Sequence, residues 1–337
     1  MTNLDQLDHL NDLSRRLCRE KPDYETARQM LLKIRSGPTY PLWVLCCAHG
    51  AAALVFALFF GGGWRDGLWA FPIGVGIKLI SYTLGRLNAN SFFITVISAG
   101  FSALMACLGV QLGAIGQVSR VLMGAIMNLV PGLMLTNAIR DIMAGDFIAG
   151  LTRVAEALLI GTGIAVGVMV PISFFPSFLG QSDVRVDWIT CLYAAAGVVV
   201  FGSVFNIRGK KLVFSAFGGA LSWFFYLITK DIYSTDIFAY FFAAVLMSIY
   251  AEIFARVHKL PVTIYMIAGL IPLVPGSGIY RTMEYCVMGE NELFWQTGLY
   301  TLSIASVIGF AMICVSSIVR IGHTAIAGRK ARKSEGC

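Results

Sequence analysis

Leu129-Val130-Pro131-Gly132 recurs as Leu273-Val274-Pro275-Gly276, an offset of 144 residues in a chain of 337. Held without gaps, the same offset sets Cys47 on Cys191, Ala51 on Ala195, Ala52 on Ala196, Gly74 on Gly218, Ala99 on Ala243, Gly145 on Gly289 and the acid Asp146 on the acid Glu290. Single matches are common between apolar stretches. A register held over so many positions reads as an internal duplication. Both copies of the tetrapeptide lie inside long uncharged runs. Proline there removes a backbone donor and clashes with the preceding turn, and glycine tolerates the conformation that results.

The surrounding composition sets the environment of those runs. Apolar residues make up 57% of the chain, charged residues 13%, and mean hydropathy is +0.73. Ordinary soluble domains carry about 25% charged residues. With 19 acids and 26 bases the chain cannot coat a soluble surface of this size. The composition excludes a soluble enzyme, a disordered chain and a disulfide-stapled secreted domain. The net charge of +7 is modest and no basic stripe carries interleaved aromatics, so nucleic acid is not an expected partner. The eight cysteines form no C-x-x-C pair and no His/Cys cluster has metal spacing, so neither a metal nor a cofactor is expected. The polar N-terminus of mixed charge does not read as a cleavable signal.

Crossing a bilayer takes about 20 apolar residues as helix, and sustained apolar runs argue against an alternating β-barrel. Ten runs qualify, at residues 42–60, 68–84, 91–112, 121–138, 154–175, 188–205, 212–229, 237–254, 262–280 and 293–319. With a cytoplasmic N-terminus, twenty Lys and Arg fall on inner segments and five on outer ones, and Lys78 alone stays within a span, accounting for all 26. Both termini are therefore expected in the cytoplasm. The 144-residue register puts the first span on the sixth and the fifth on the tenth. Each half then has an odd number of spans, so the second must enter the membrane the other way up. The expected fold is an all-α polytopic membrane protein of ten transmembrane helices forming two inverted five-helix repeats. The parts are cytoplasmic amphipathic helices over 1–40, membrane modules over 41–180 and 186–320, and a basic cytoplasmic tail over 321–337. Inverted repeats with broken helices at the midplane are the arrangement of many secondary transporters. A simple proline kink is the bland alternative for each Pro-Gly.

Polar residues near the membrane supply the candidate site. Arg140, Asp141 and Asp146 follow the fourth span, and Arg153 and Glu156 open the fifth at an i, i+3 spacing. Glu252 lies four residues before Arg256, Lys78 sits mid-span, and Arg281 and Glu284 follow the ninth span. Intramembrane ionisable residues are costly and are functional candidates by default. Asp141, Asp146, Glu252 and above all Glu156 are candidate proton carriers; Arg140, Arg153, Lys78, Arg281 and Glu284 are candidate pairing or gating groups. The bland readings are a salt-bridged hairpin, a surface Glu–Arg pair, a snorkelling lysine and a solvated loop. The broken ends at Pro131, Gly132, Pro275 and Gly276 suit a carboxylate, because a helix start presents amides and a positive dipole end. Gly109-x-x-x-Gly113 and Gly163-x-x-x-Gly167 suit close helix packing.

Asn128-Leu-Val-Pro-Gly-Leu-Met-Leu-Thr-Asn-Ala-Ile-Arg-Asp-Ile-Met-Ala-Gly-Asp146 with Gly150-Leu-Thr-Arg-Val-Ala-Glu-Ala-Leu158 closely resembles the bacterial threonine/serine exporter family. Leu13-Ser-Arg-Arg16, Glu25-Thr-Ala-Arg28 and Tyr40-Pro41 resemble the segment leading into its first helix, and Ala251-Glu-Ile-Phe-Ala-Arg-Val257, Pro261 and Ile271-Pro-Leu-Val-Pro-Gly276 its second membrane module. Longer members carry an additional cytoplasmic segment ahead of this region. The resemblance implies export of threonine and serine across the bacterial inner membrane, driven by proton entry. It also implies a dicarboxylate alternative, since related forms with separated modules are linked to succinate export. With that substrate class, Thr136, Asn137 and Ser277 become candidate ligands for the amino acid. An uncoupled channel or membrane scaffold is the alternative of another class. The expected partners are a small molecule, protons and the lipid bilayer, and homo-oligomeric assembly is left open.

Overall fold

A computed structural model describes residues 4–35, 40–175, 187–232 and 235–335, with side chains described through Gly322. The described residues fold into helices with no strand among them. In chain order these are α1 (Leu4–Glu20), α2 (Tyr24–Arg35), α3 (Leu42–Phe59), α4 (Trp64–Arg86), α5 (Ser91–Gln111), α6 (Val118–Ile126) and α7 (Gly132–Met143). There follow α8 (Phe147–Phe174), α9 (Thr190–Val204), α10 (Lys210–Ile232), α11 (Asp236–Val257), α12 (Val262–Leu270), α13 (Gly276–Met288) and α14 (Asn291–Glu335). Seven of them, α3, α4, α5, α8, α10, α11 and α14 as far as Gly322, are long and apolar enough to cross a membrane. The apolar helix α9 is shorter, at 15 residues.

The expected fourth and ninth spans are each two helices rather than one. α6 ends at Ile126 and α7 begins at Gly132; α12 ends at Leu270 and α13 begins at Gly276. Pro131 and Pro275 are the N-caps of the second pieces, with similar backbone angles (φ −83°, ψ 40° and φ −76°, ψ 51°). The starts of α12, α13 and α14 each fall 144 residues after those of α6, α7 and α8. Packing follows the same order in both halves. α3 lies on α4 as α9 lies on α10, α5 on α8 as α11 on α14, and α7 on α8 as α13 on α14. The halves also exchange neighbours: α7 packs on α14, and α13 packs on α8.

Two boundaries differ from the sequence expectation. The loop left between the expected spans ending at 138 and starting at 154 shrinks to the turn Ala144–Asp146, because α7 runs on to Met143, α8 starts at Phe147 and Gly145 takes a left-handed φ of 96°. α14 continues through the basic tail to Glu335.

Hydroxyls within the apolar helices are satisfied locally. Thr95, Ser102 and Ser248 donate to carbonyls four residues back, at 2.9, 2.7 and 2.8 Å. A membrane interior offers no water to do this. An aromatic seam joins the halves, with Phe56 of α3 edge-on to Phe201 of α9 (centroids 5.5 Å apart) and Phe59 against Trp223 of α10 (4.7 Å). Gly167 of α8 is packed so closely on α5 that a Cβ there would meet the Val96 carbonyl oxygen at 2.3 Å, which bears out the small-residue reading of that helix. His49 is a core residue, buried with its ring on the Leu45 carbonyl.

Ahead of the membrane helices, Asp23 caps α2, and the Thr26 hydroxyl holds its carboxyl below the usual carboxylate range. α1 buries Leu4 and Leu13, and the Leu4 amide donates to the Phe205 carbonyl at 3.0 Å. Lys211 at the start of α10 pairs with Asp8 and, at 3.8 Å, with Asp5. Arg15 reaches the Lys259 carbonyl between α11 and α12 at 3.2 Å. α2 buries none of its residues and leaves Leu31 and Leu32 exposed.

Candidate functional site

The two breaks touch. A Cβ on Gly132 would meet Val274 Cγ1 at 2.2 Å and the Gly276 nitrogen at 3.7 Å. A Cβ on Gly276 would meet Met127 Sδ at 2.6 Å and Val130 Cγ1 at 3.7 Å. Only glycine lets two backbones approach in this way. The starts of α7 and α13 therefore lie side by side, and neither N-cap proline offers a side chain to cap its helix.

A cavity lies on each side of this crossing. The first, of about 390 Å³, is lined by Ser277, Gly278, Arg281 and Tyr285 of α13, with Trp223, Tyr226 and Lys230 of α10 among its walls. It includes Thr190 at the start of α9. The second, of about 280 Å³, includes Phe201, Val204 and Phe205 at the other end of α9, and runs along Asn128–Met134. Met127 and Val274 line both. Pro272, Val274, Pro275, Ser277, Gly278 and Ile304 of the first cavity each lie 144 residues after a lining residue of the second, namely Asn128, Val130, Pro131, Leu133, Met134 and Ile160. The chemistry of the two walls differs. Ser277, Arg281, Lys230, Thr297 and four tyrosines make the first polar, whereas Asn128 is the main polar side chain of the second. Asn128 donates to the His49 carbonyl at 3.2 Å, and its Oδ1 is buried without a hydrogen-bond partner among the described residues.

The candidate residues divide among three places. Pro131, Gly132, Pro275 and Gly276 form the crossing itself, and Ser277 and Arg281 face the first cavity. Thr136 is buried, with its hydroxyl bonded back to the Gly132 carbonyl at 3.1 Å, and Asn137 is half-buried beside it on α7.

Asp141, Arg140 and Arg153 make a charged cluster across the short turn. Asp141 accepts from Arg140 at 3.5 Å and pairs closely with Arg153. Arg153 thus turns to Asp141, not to Glu156 three residues on. Asp146 is the exposed N-cap of α8, and Glu156 is exposed on the same helix. Glu252 pairs with Arg256 at 3.2 Å, as the surface-pair reading has it, and the two share a further cavity with Arg140. Lys78 is half-buried in the middle of α4, and no ion pair joins it to a described carboxylate.

Glu284 stands out from the other acids. Its Oε1 accepts from Ser119 of α6 at 3.3 Å and from Tyr280, one turn earlier on α13, at 3.2 Å. The carboxylate therefore bridges half-helices from the two breaks. Position 284 lies 144 residues after Arg140, so equivalent sites hold an acid in one half and a guanidinium in the other. Similarly, Tyr300, which donates to Asp236 at 3.2 Å, is the counterpart of Glu156.

Sequence reasoning missed Ser119, Tyr280, Asn128 and the cavity tyrosines. Tyr280 and Glu284 at i, i+4 on one helix face are the signal that was available. Asp66 was also missed. It is buried and satisfied by the amides of Gly63 (2.8 Å) and Gly116 (3.3 Å), a structural cap rather than a site.

A bundle of apolar helices with two abutting breaks and a cavity on either side defines a multi-pass membrane protein. Residues 1–175 match the family model ThrE and residues 190–318 match ThrE_2, described as "Threonine/Serine exporter, ThrE". The chain belongs to the threonine/serine exporter family. Among its relatives, the "Threonine/serine exporter" of Corynebacterium glutamicum is 25% identical, covering 95% of this chain and 68% of the relative. The "Probable threonine/serine exporter" of Mycobacterium tuberculosis is 22% identical over 84% of this chain and 56% of its own length, so the chain spans little more than half of that relative. The "Probable succinate transporter subunit YjjP" of Escherichia coli is 26% identical over 40% of this chain and 54% of its own. These relatives are named as exporters or transporters, not as enzymes. No solved structure matches the chain.

Proposed function

We propose that this chain is a secondary active exporter of small hydroxy amino acids, threonine and serine, working by proton antiport and alternating access. Its ten crossings would form two inverted five-crossing units over residues 41–180 and 186–320, with both termini on the cytoplasmic side of a bacterial inner membrane. The observation that carries this reading is the pair of 144-related cavities that meet at Gly132 and Gly276. A solute held at that crossing reaches one side or the other depending on which cavity is open.

The chemistry of the first cavity suits a hydroxy amino acid. Arg281 and the start of α13 take the carboxylate, Ser277 and Thr297 the hydroxyl, and the faces of Trp223 and Tyr226 the ammonium group. On the other side the unpaired Asn128 Oδ1 is a second acceptor for the ammonium. Glu284 takes over from Glu156 as the first proton carrier, because it sits where the half-helices meet rather than on an exposed face. Ionised, it accepts a hydrogen bond from Ser119 that holds α6 to α13 and a second from Tyr280 within α13. Protonation from the outer side weakens that tie and opens the first cavity. The equivalent Arg140 carries a fixed charge, so the opposite gate does not respond to protons in this way.

A dicarboxylate is the second reading, favoured by Arg281 and Lys230 lining one cavity and by the kinship to a relative named for succinate. Counterflow in reconstituted vesicles decides between them. Labelled threonine should accumulate against excess internal threonine or serine and not against succinate. Counterflow of labelled succinate against internal succinate with none of labelled threonine would give the dicarboxylate reading, and downhill flux without counterflow would give a channel.

A further inference from the structure

A cavity of about 420 Å³ lies between α7, α11, α12 and α14, away from the crossing. Three guanidinium groups line it from three helices: Arg140, Arg256 and Arg320. One carboxylate, Glu252, is in the same wall and holds Arg256 at 3.2 Å; Arg140 is shared with Asp141 at 3.5 Å. Among the side chains that line the cavity three are cations and one is an anion. Thr263 and Ser316 add hydroxyls. The nine-residue helix α12 starts here, behind Pro261 with no side-chain cap, so its positive end adds to the same field.

The duplication argues that this charge is not a requirement of the scaffold. The positions 144 residues before Glu252 and Arg256 are Leu108 and Leu112, and the counterpart of Arg140 is the acid Glu284. The same helix geometry is built in the other half without a cationic cluster. Guanidinium forks match the paired oxygens of phosphate, and three forks converging from separate helices exceed what the single lining carboxylate, Glu252, needs.

We propose that this cavity is an anion site for a phosphate group, presented by an anionic phospholipid headgroup or by free inorganic phosphate. An occupant would clamp α7 of the first half onto α11, α12 and α14 of the second. The proposal rests on the geometry of this cavity and not on the transport reading, and its test is a binding measurement that stands whether or not threonine is carried.

The full chain in nanodiscs of phosphatidylcholine is offered radiolabelled inorganic phosphate in equilibrium dialysis. Separately, it is offered phosphatidylglycerol, and lipid retention is read by native mass spectrometry. Binding in either arm supports the site and names its source. Arg256→Gln and Arg320→Gln should each weaken binding about tenfold, the scale of one lost charge-assisted hydrogen bond. Glu252→Gln removes the competing carboxylate and should tighten binding, a result that misfolding cannot produce. Retention no greater than for phosphatidylcholine together with no phosphate binding would overturn the proposal. So would unchanged binding in all three variants.

Discussion

Ser119 on α6 donates to Glu284 on α13 at 3.3 Å, and through this bond a half-helix of one broken pair is tied to a half-helix of the other. Glu284→Gln keeps the shape of the side chain and removes its titration. Export driven by a proton gradient should fall at least about tenfold, the equivalent of about 1.4 kcal/mol, while threonine–threonine exchange persists. Flux assays in vesicles with and without an imposed pH gradient make the comparison. Gradient-driven export at the parental rate would remove Glu284 as the carrier.

The contact between the breaks gives a second expectation. Gly132→Ala puts a methyl group 2.2 Å from Val274 Cγ1, so the crossing must open or strain. Overpacking of this kind costs about 1–3 kcal/mol, and the melting temperature and export should both fall. Val274→Ala in the same chain should restore much of the loss. A double variant no better than the sum of the two would show that the two sites do not press on each other.

Ser277 and Leu133 are equivalent positions facing different cavities. In a background without native cysteines, Ser277→Cys should react with a membrane-impermeant thiol reagent from outside the cell, and Leu133→Cys only from within. Labelling of both from one side would defeat the inverted arrangement.

Arg281 faces the first cavity beside Ser277. Arg281→Gln should raise KM for threonine about tenfold with a smaller change in the maximal rate, since one charge-assisted hydrogen bond to the carboxylate is lost. An unchanged KM would move the carboxylate site elsewhere.

Lys211 holds the N-terminal helix through Asp5 and Asp8, with these side chains 26%, 18% and 14% exposed. Lys211→Gln should loosen α1 by up to about 1 kcal/mol, the upper scale of a surface ion pair. Limited trypsinolysis at Arg15 and Arg16 should then run faster. An unaltered cleavage rate would mean that Leu4 and Leu13 hold the helix unaided.

Much of the helix pattern can be read from the chain alone. The apolar runs return in helices, and the repeated Pro-Gly falls at two real interruptions; Pro72 and Pro171, by contrast, lie inside the continuous helices α4 and α8, so a proline alone does not decide a break. The side chains were harder to place. Glu156, a proton-carrier candidate from its position ahead of an apolar run, lies on an exposed face of α8 and makes no hydrogen bond or ion pair with the half-helices at the breaks among the described residues. Arg153 shares a helix face with Glu156 but bonds Asp141 across the turn. Spacing along one helix gives neighbours on that helix only.

The sequence by itself determined an apolar helical bundle, which follows from composition, and the 144-residue register of the repeated Pro-Gly, which follows from the order of residues along the chain. Only the tertiary structure decided that Gly132 and Gly276 abut, that Glu284 rather than Glu156 meets a partner from the other half, and that a cavity stands on each side of the crossing. Those facts depend on how helices far apart in the chain are turned toward one another. That rotation is set by packing summed over all neighbours, which no single stretch of residues encodes.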